Sequence, residues 1–282
     1  MPTTLERLFT DETAQAGNAK FERIAAAVET LAAKDSFLQY HGAGLFNANF
    51  RGKNLGTTSA ENLAEISAKI ADGSFEGLFC GDTLTGAVSG RLYDLADADY
   101  RLHCGDQGSG LTTHHIMVIP RLSMGTSKMN DTDITTGGYA GSKMYTDYLQ
   151  PFIDIILSDF GASHVLSHRN IFSNAVTDGK PTGYVWATRQ VDLMTEAMVY
   201  GGIHYGSGAS DGTNTYMRYS IDCKQVNLFR HRPDLISPAR YWFWLRDVVS
   251  AARFAATNSA GSATDTRASL SGGGVRPAFL LY

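Results

Sequence analysis

Cysteine is scarce in this chain: three in 282 residues, at Cys80, Cys104 and Cys223. An odd, widely spaced set builds neither a disulfide framework nor a CxxC metal site. The three read instead as small buried hydrophobes in a protein made in a reducing cytosol. Charge is also sparse, at 18% of residues, with a formal net charge of −4 and no basic run. Nucleic acid is therefore not an expected partner. No apolar run is long enough to span a bilayer, so no membrane insertion is expected. The first residues, MPTTLERLFTDETAQ, lack the apolar core of a signal peptide.

The usual marks of catalysis are missing too. There is no GxSxG elbow and no HExxH helix. His164 and His168 lie four apart in HVLSHRN without a zincin glutamate, and core or turn histidines are expected. His114 and His115 are adjacent, so on a strand they point to opposite faces and cannot chelate together. Asp94, Asp97 and Asp99 lack the glycine of a calcium loop, which leaves a solvated turn. GDQGSG lacks the Lys-Ser/Thr of a phosphate loop, so it too reads as a turn. No catalytic residue, metal or cofactor is assigned.

What is present is a globular composition, 43% hydrophobic, with 29 Gly against 7 Pro. That balance suggests many turns and short strands. Residues 5–34 read as helix, with Phe21, Ile24, Val28 and Leu31 forming an a/d seam. The seam packs either on copies of itself, as a homotrimeric coiled coil, or on its own domain. Ser59 caps a second helix, SAENLAEISAKIADG, with Asn62 in the capping-box position and Gly73 ending it. GLFCGDTL, AVSGRLYDL, YRLHCG and HHIMVIP read as strands, the last buried on both faces. MYTDYLQPFIDIILSDFG reads as helix, with Pro151 marking a kink or a fresh start. VWATRQVDLMTEAMVYGG passes for another helix.

The last segment runs from RYWFWLRD through a stretch of Ala, Ser, Thr, Asn and Gly to GVRPAFLLY. A floppy linker between two apolar strands is odd, and a structured loop of small side chains fits better. Trp242 and Trp244, two apart, are expected to share a core-facing side of a strand, which turns Phe243 toward solvent or ligand.

Those C-terminal residues carry a resemblance. The chain resembles a family of phage and prophage proteins that end in Tyr-Trp-Leu-Arg, a Ser/Ala/Asn/Gly-rich stretch and Gly-Val-Arg-Pro-Ala-Phe. Here the elements are Tyr241–Arg246, in the extended form YWFWLRD, and Gly274–Phe279. LTTHHIMVIP, KMNDTDITTGGYAGSKMY, NAVTDGKPTGYVW and VDLMTEAMVYG are similar to the family as well, so the likeness spans about residues 75–282. That family looks like a branch of the C-type-lectin fold shared with formylglycine-generating enzymes and with variable proteins of diversity-generating retroelements. The catalytic Cys pair of the former and the calcium signatures of sugar-binding lectins are missing here.

The resemblance implies an α+β chain with a C-type-lectin-like fold of short strands and long loops. Its expected divisions are an N-terminal helix at 1–35, a linker and helix at 36–74, and a display domain at 75–282. Trp242, Arg246 and Arg276 are expected as framework. The two arginines would bond loop carbonyls through their forked donors. Phe243, Arg253, Asn258, Ser262, Thr264, Asp265, Arg267 and Leu270 are expected as the display surface. The implied function is host attachment by a non-enzymatic virion-surface protein made in the host cytoplasm. Its partners would be a host cell-surface protein or glycan and other virion proteins. A structural head or baseplate part, and an enzyme of the formylglycine-generating type, are the competing classes.

Overall fold

Short alternating and apolar runs, broken by glycine every few residues, produce short strands, and strands dominate the molecule. The computed structural model describes residues 42–106, 108, 110–206 and 224–282. The helix and seam expected before residue 36, and Cys223, lie outside the described residues. The architecture is α+β, mostly sheet with a few short helices.

Strands are numbered along the chain. One sheet has six: β1 (Asn54–Thr57), β2 (Thr83–Thr85), β3 (Leu92–Ala98), β4 (Ile116–Pro120), β8 (Val191–Leu193) and β13 (Pro277–Leu281). Their order is β1-β2-β3-β4-β13-β8. All pairs are antiparallel except β1 with β2. The chain's last strand therefore lies inside the sheet, with Phe279 opposite Val118 on one side and Val191 on the other. All five residues of β4 and of β13 are buried.

A second sheet joins β5 (Gly125–Ser127), β9 (Phe243–Ser250), β10 (Arg253–Thr257), β11 (Ala263–Arg267) and β12 (Gly273–Val275) in the order β11-β10-β9-β12-β5. A separate hairpin pairs β6 (His168–Thr177) with β7 (Lys180–Arg189). The Ala- and Ser-rich C-terminal stretch is thus not an irregular loop. It forms the β10–β11 hairpin, whose strands pair residue for residue from Arg253↔Arg267 to Thr257↔Ala263.

Five short α-helices complete the described residues: α1 (Ala43–Ala48), α2 (Ala60–Ala71), α3 (Gln150–Phe160), α4 (Glu196–Tyr200) and α5 (Asn227–His231). In α2, the Ser59 hydroxyl accepts from the Asn62 N–H at 3.4 Å, and Leu63, Ile66 and Ile70 are buried. The Asn62 side chain does not close a capping box. Its amide donates instead to the carbonyls of Leu55 and Thr57. Pro151 sits in the first turn of α3, where its missing N–H has no helical partner to lose. A π-helical turn at Met144–Tyr148 precedes it, so Pro151 opens a new helix rather than kinking one.

Three local expectations give way to tertiary context. YRLHCG is a turn, not a strand, with His103 at φ 64°. VWATRQVDLMTEAMVYGG divides into the end of β7, the strand β8 and the short α4, because its branched and aromatic residues pair across strands. Asp94 and Asp97 are not in a solvated turn but fully buried in β3. A buried carboxylate needs partners. Arg121 chelates Asp94, and Asn227 donates twice to Asp97.

The aromatic core sits where α3 meets the six-stranded sheet. Phe160 stacks edge-on against Tyr93 at 5.0 Å and against Phe279 at 4.9 Å. The Tyr93 hydroxyl donates to buried Asp159, which also accepts from the Val88 and Ser89 amides. The helix end is thereby pinned to the sheet.

Candidate functional site

Antiparallel pairing places the β9–β10 turn and the start of the β11–β12 loop side by side, since Arg253 lies opposite both Ser250 and Arg267. Backbone bonds gather two further loops there. The Ala268 carbonyl accepts from the Met129 and Asn130 amides, and the Ala268 N–H donates to Ala252. Thr135 donates its N–H to Ala251 and its hydroxyl to Ser250 at 2.7 Å. Asp133 accepts from the Ser269 N–H at 3.0 Å and from its hydroxyl at 2.7 Å. The β6–β7 hairpin arrives through Val176, whose N–H donates to Thr136. Four loops thus share one platform, held by main-chain bonds together with the side chains of Asp133 and Thr135.

The outward side chains are left free for other work. Ile134 is 52% exposed and Leu270 46%, large apolar groups on loops that the Asp133–Ser269 bonds bring together. Below them an open groove of about 840 Å3, solvent included, is lined by Asp133, Arg253, Thr266, Arg267, Ser269 and Leu270. Arg253 pairs with Asp265 at 2.6 Å. The Ser269 hydroxyl and N–H hold the Asp133 carboxyl below its ordinary range, with attraction from Arg267 and Arg253 adding to this.

No family model, curated protein or solved structure matches the chain. Its site therefore rests on its own geometry.

Among the eight expected display residues, Arg253, Arg267 and Leu270 line this groove, and Asp265 is bonded to Arg253 beside it. Asn258 and Ser262 lie at the opposite end of the hairpin, about 13 Å of strand away. The Asn258 side-chain Oδ1 accepts there from the Ala260 and Ser262 amides, so it shapes the turn. Thr264 is half-buried on edge strand β11.

Phe243 is a correction. It is 1% exposed and belongs to the core. Trp242 and Trp244 do lie on one side, their rings 5.1 Å apart. The strand, however, is covered on both faces, and Phe243 packs over the Arg276 guanidinium at 5.4 Å. Trp244 is fully buried, while Trp242, just before β9, is only half-buried.

The framework arginines divide. Arg276, 1% exposed, donates to the carbonyls of Pro120, Leu235 and Ile236 at 2.7–3.0 Å. Burial lowers its pKa to about 10, which leaves it charged at neutral pH. Arg246 is buried as well, but it reaches Asn170 and the Phe172 ring, and its own N–H donates to Met194. It ties β9 to the β6–β7 hairpin.

Sequence reasoning missed Asp133, Ile134, Thr135 and the β6–β7 turn. KMNDTDITTGGYAGSKMY and NAVTDGKPTGYVW carry part of the resemblance, but their place in the platform depends on contacts 40 to 136 residues apart. Among the described residues, no group of three His, Cys, Asp or Glu side chains is placed to hold a metal ion. No described helix is long and apolar enough to cross a membrane.

Proposed function

We propose that this chain is a non-enzymatic phage virion-surface protein with a C-type-lectin-like fold, and that it attaches to a host cell-surface protein or glycan through the four-loop platform. The carrying observation is the division of labour there. Main-chain bonds and the side chains of Asp133 and Thr135 hold the loops, while Arg267, Leu270 and Ile134 project outward and make no hydrogen bond there among the described residues. Such a platform tolerates changes of side chain without loss of scaffold, as a variable protein of a diversity-generating retroelement requires. Two features support the lectin-like reading. The chain's last strand lies inside the main sheet, and short strands are joined by long bonded loops. The proposed assembly is a homotrimer through the seam Phe21, Ile24, Val28 and Leu31.

The test is the combined replacement Arg253→Ala, Asp265→Ala, Arg267→Ala and Leu270→Ser. Each change is at the surface and costs within about 0.5 kcal/mol, so the variant stays folded. Its attachment to host cells, or its competition with intact virions, is expected to be lost. A folded variant that attaches like the parent overturns the platform as the binding site.

A further inference from the structure

A cross-strand pair of like charges runs against sheet stability, and this one sits in the groove. Arg253 and Arg267 are directly opposite on β10 and β11, where side chains start about 4.5–5.5 Å apart and like charges repel. Asp265 answers one of them, bonding Arg253 at 2.6 Å. The groove's other acid, Asp133, is engaged by the Ser269 N–H and hydroxyl. Arg267 is exposed and, among the described residues, has no hydrogen-bond or ion-pair partner. Its charge attracts the Asp133 carboxylate without a direct bond, so Arg267 keeps its fork of donors open, and that fork matches a carboxylate.

We infer that the groove binds a saccharide bearing a carboxylate, with the acid group on Arg267. This deepens the attachment reading and rests on it. The carboxylate between the two strands offsets the arginine repulsion. Ser269 and Ser271 bring hydroxyls to the groove. A hydroxyl both donates and accepts, as a sugar hydroxyl does, so the two classes satisfy each other. Leu270 supplies an apolar rim for the C–H face of a ring. An acidic peptide would also meet Arg267, but the groove offers it a single large apolar anchor and mostly hydroxyls elsewhere.

Calorimetric titration of the full chain decides the matter, using trigalacturonate, sialyllactose, their methyl esters and a hexaglutamate peptide. At least one acidic saccharide is expected to bind, its methyl ester about tenfold or more weakly, since the ester keeps the shape and removes the charge. Arg267→Ala should weaken the acid by a similar factor without altering the melting temperature, and Arg267→Lys should recover part of the loss. No acidic saccharide binding, equal binding of acid and ester, an unaffected Arg267→Ala, or binding of the peptide alone would each overturn the inference. Host-cell attachment by the same samples separates the two ideas. Attachment that is lost in the fourfold variant yet indifferent to the acidic saccharides keeps the platform and removes this ligand.

Discussion

At the scale of single residues, burial decides between neighbours that the sequence pattern treats alike. Trp244 is fully buried and Trp242 only partly. Trp244→Ala is therefore expected to cost about 3–5 kcal/mol, the range for large aromatic deletions, and Trp242→Ala clearly less. Arg276→Ala leaves three buried carbonyls without their donor, at about 1–3 kcal/mol for each unsatisfied group. Denaturant midpoints of the three variants check the ranking. If Trp242→Ala is the costliest, the assignment of core and rim on this strand is wrong.

Buried titratable groups add a pH dependence. Burial lowers the His115 pKa to about 4 and holds that of His168 well below its usual value. The unfolded chain then binds more protons between pH 6.5 and 4, so stability is full above that window and is lost as pH falls through it. Asp97 works the other way. Burial raises its pKa to about 6, so in the fold it takes up a proton near pH 6, and stability rises as pH falls from 6 to 3.8. Burial raises Asp192 as well, so two histidines stand against two aspartates; Asp106, Asp131, Asp133 and Asp234, whose pKa values are held low by hydrogen bonds, add to the acid loss, and net acid destabilisation is expected. His115→Gln should flatten the loss between pH 7 and 4.5, and Asp97→Asn should steepen it. Denaturant titrations at several pH values measure both slopes; a Asp97→Asn variant with a shallower acid loss contradicts the assignment.

At the scale of elements, β9 and β12 approach closely through Trp244 and Gly273. Trp244 lays its indole across Gly273 and donates to the Ser127 carbonyl at 2.9 Å. A methyl group on Gly273 would lie 2.1 Å from the indole nitrogen. Gly273→Ala is expected to destabilise by about 1–3 kcal/mol or more, as overpacking does, and to shift tryptophan fluorescence as the indole is displaced. An unchanged melting curve would show that the sheet yields more easily than this packing implies. The β10–β11 hairpin shows the opposite design. Small residues at Ala255, Ala256 and Thr257 let the strand pack flat, while the polar ends of the hairpin stay available for contacts.

At the scale of the whole molecule, the described loops converge at one end and the proposed oligomer depends on the other part of the chain. Phe21, Ile24, Val28 and Leu31 are too few to stabilise an isolated helix, so their burial in a trimer is the expected outcome. Mass measurement in solution is the check: trimer for the parent, monomer after removal of residues 1–41. A parent that stays monomeric at high concentration removes the trimer. Three copies would present three grooves to one cell surface, and the linked binding events would raise avidity beyond a single groove's affinity.

The sequence by itself determined what depends on near neighbours. Ser59 and Gly73 bound α2 because a cap and a left-handed glycine act within one turn. Pro151 marked a helix start for the same local reason. The apolar run Ile116–Pro120 could only be a strand covered on both faces, and the apolar chain end gave a core strand in place of a tail. Tertiary structure alone decided the rest. Alternation on β9 predicted Phe243 outside, but the first half of the strand is covered on both faces and buries Phe243 through Arg246 whatever their parity. Asp94 and Asp97 read as solvent groups because their partners, Arg121, Lys224 and Asn227, lie 27 to 130 residues away. The platform is the clearest case. Arg253, Arg267 and Leu270 were visible as polar and small-residue sequence near one another, whereas Asp133 meets Ser269 across 136 residues. A loop brought there by distant backbone bonds leaves no pattern in its own residues, because the energy that holds it belongs to the pairs and not to the segment.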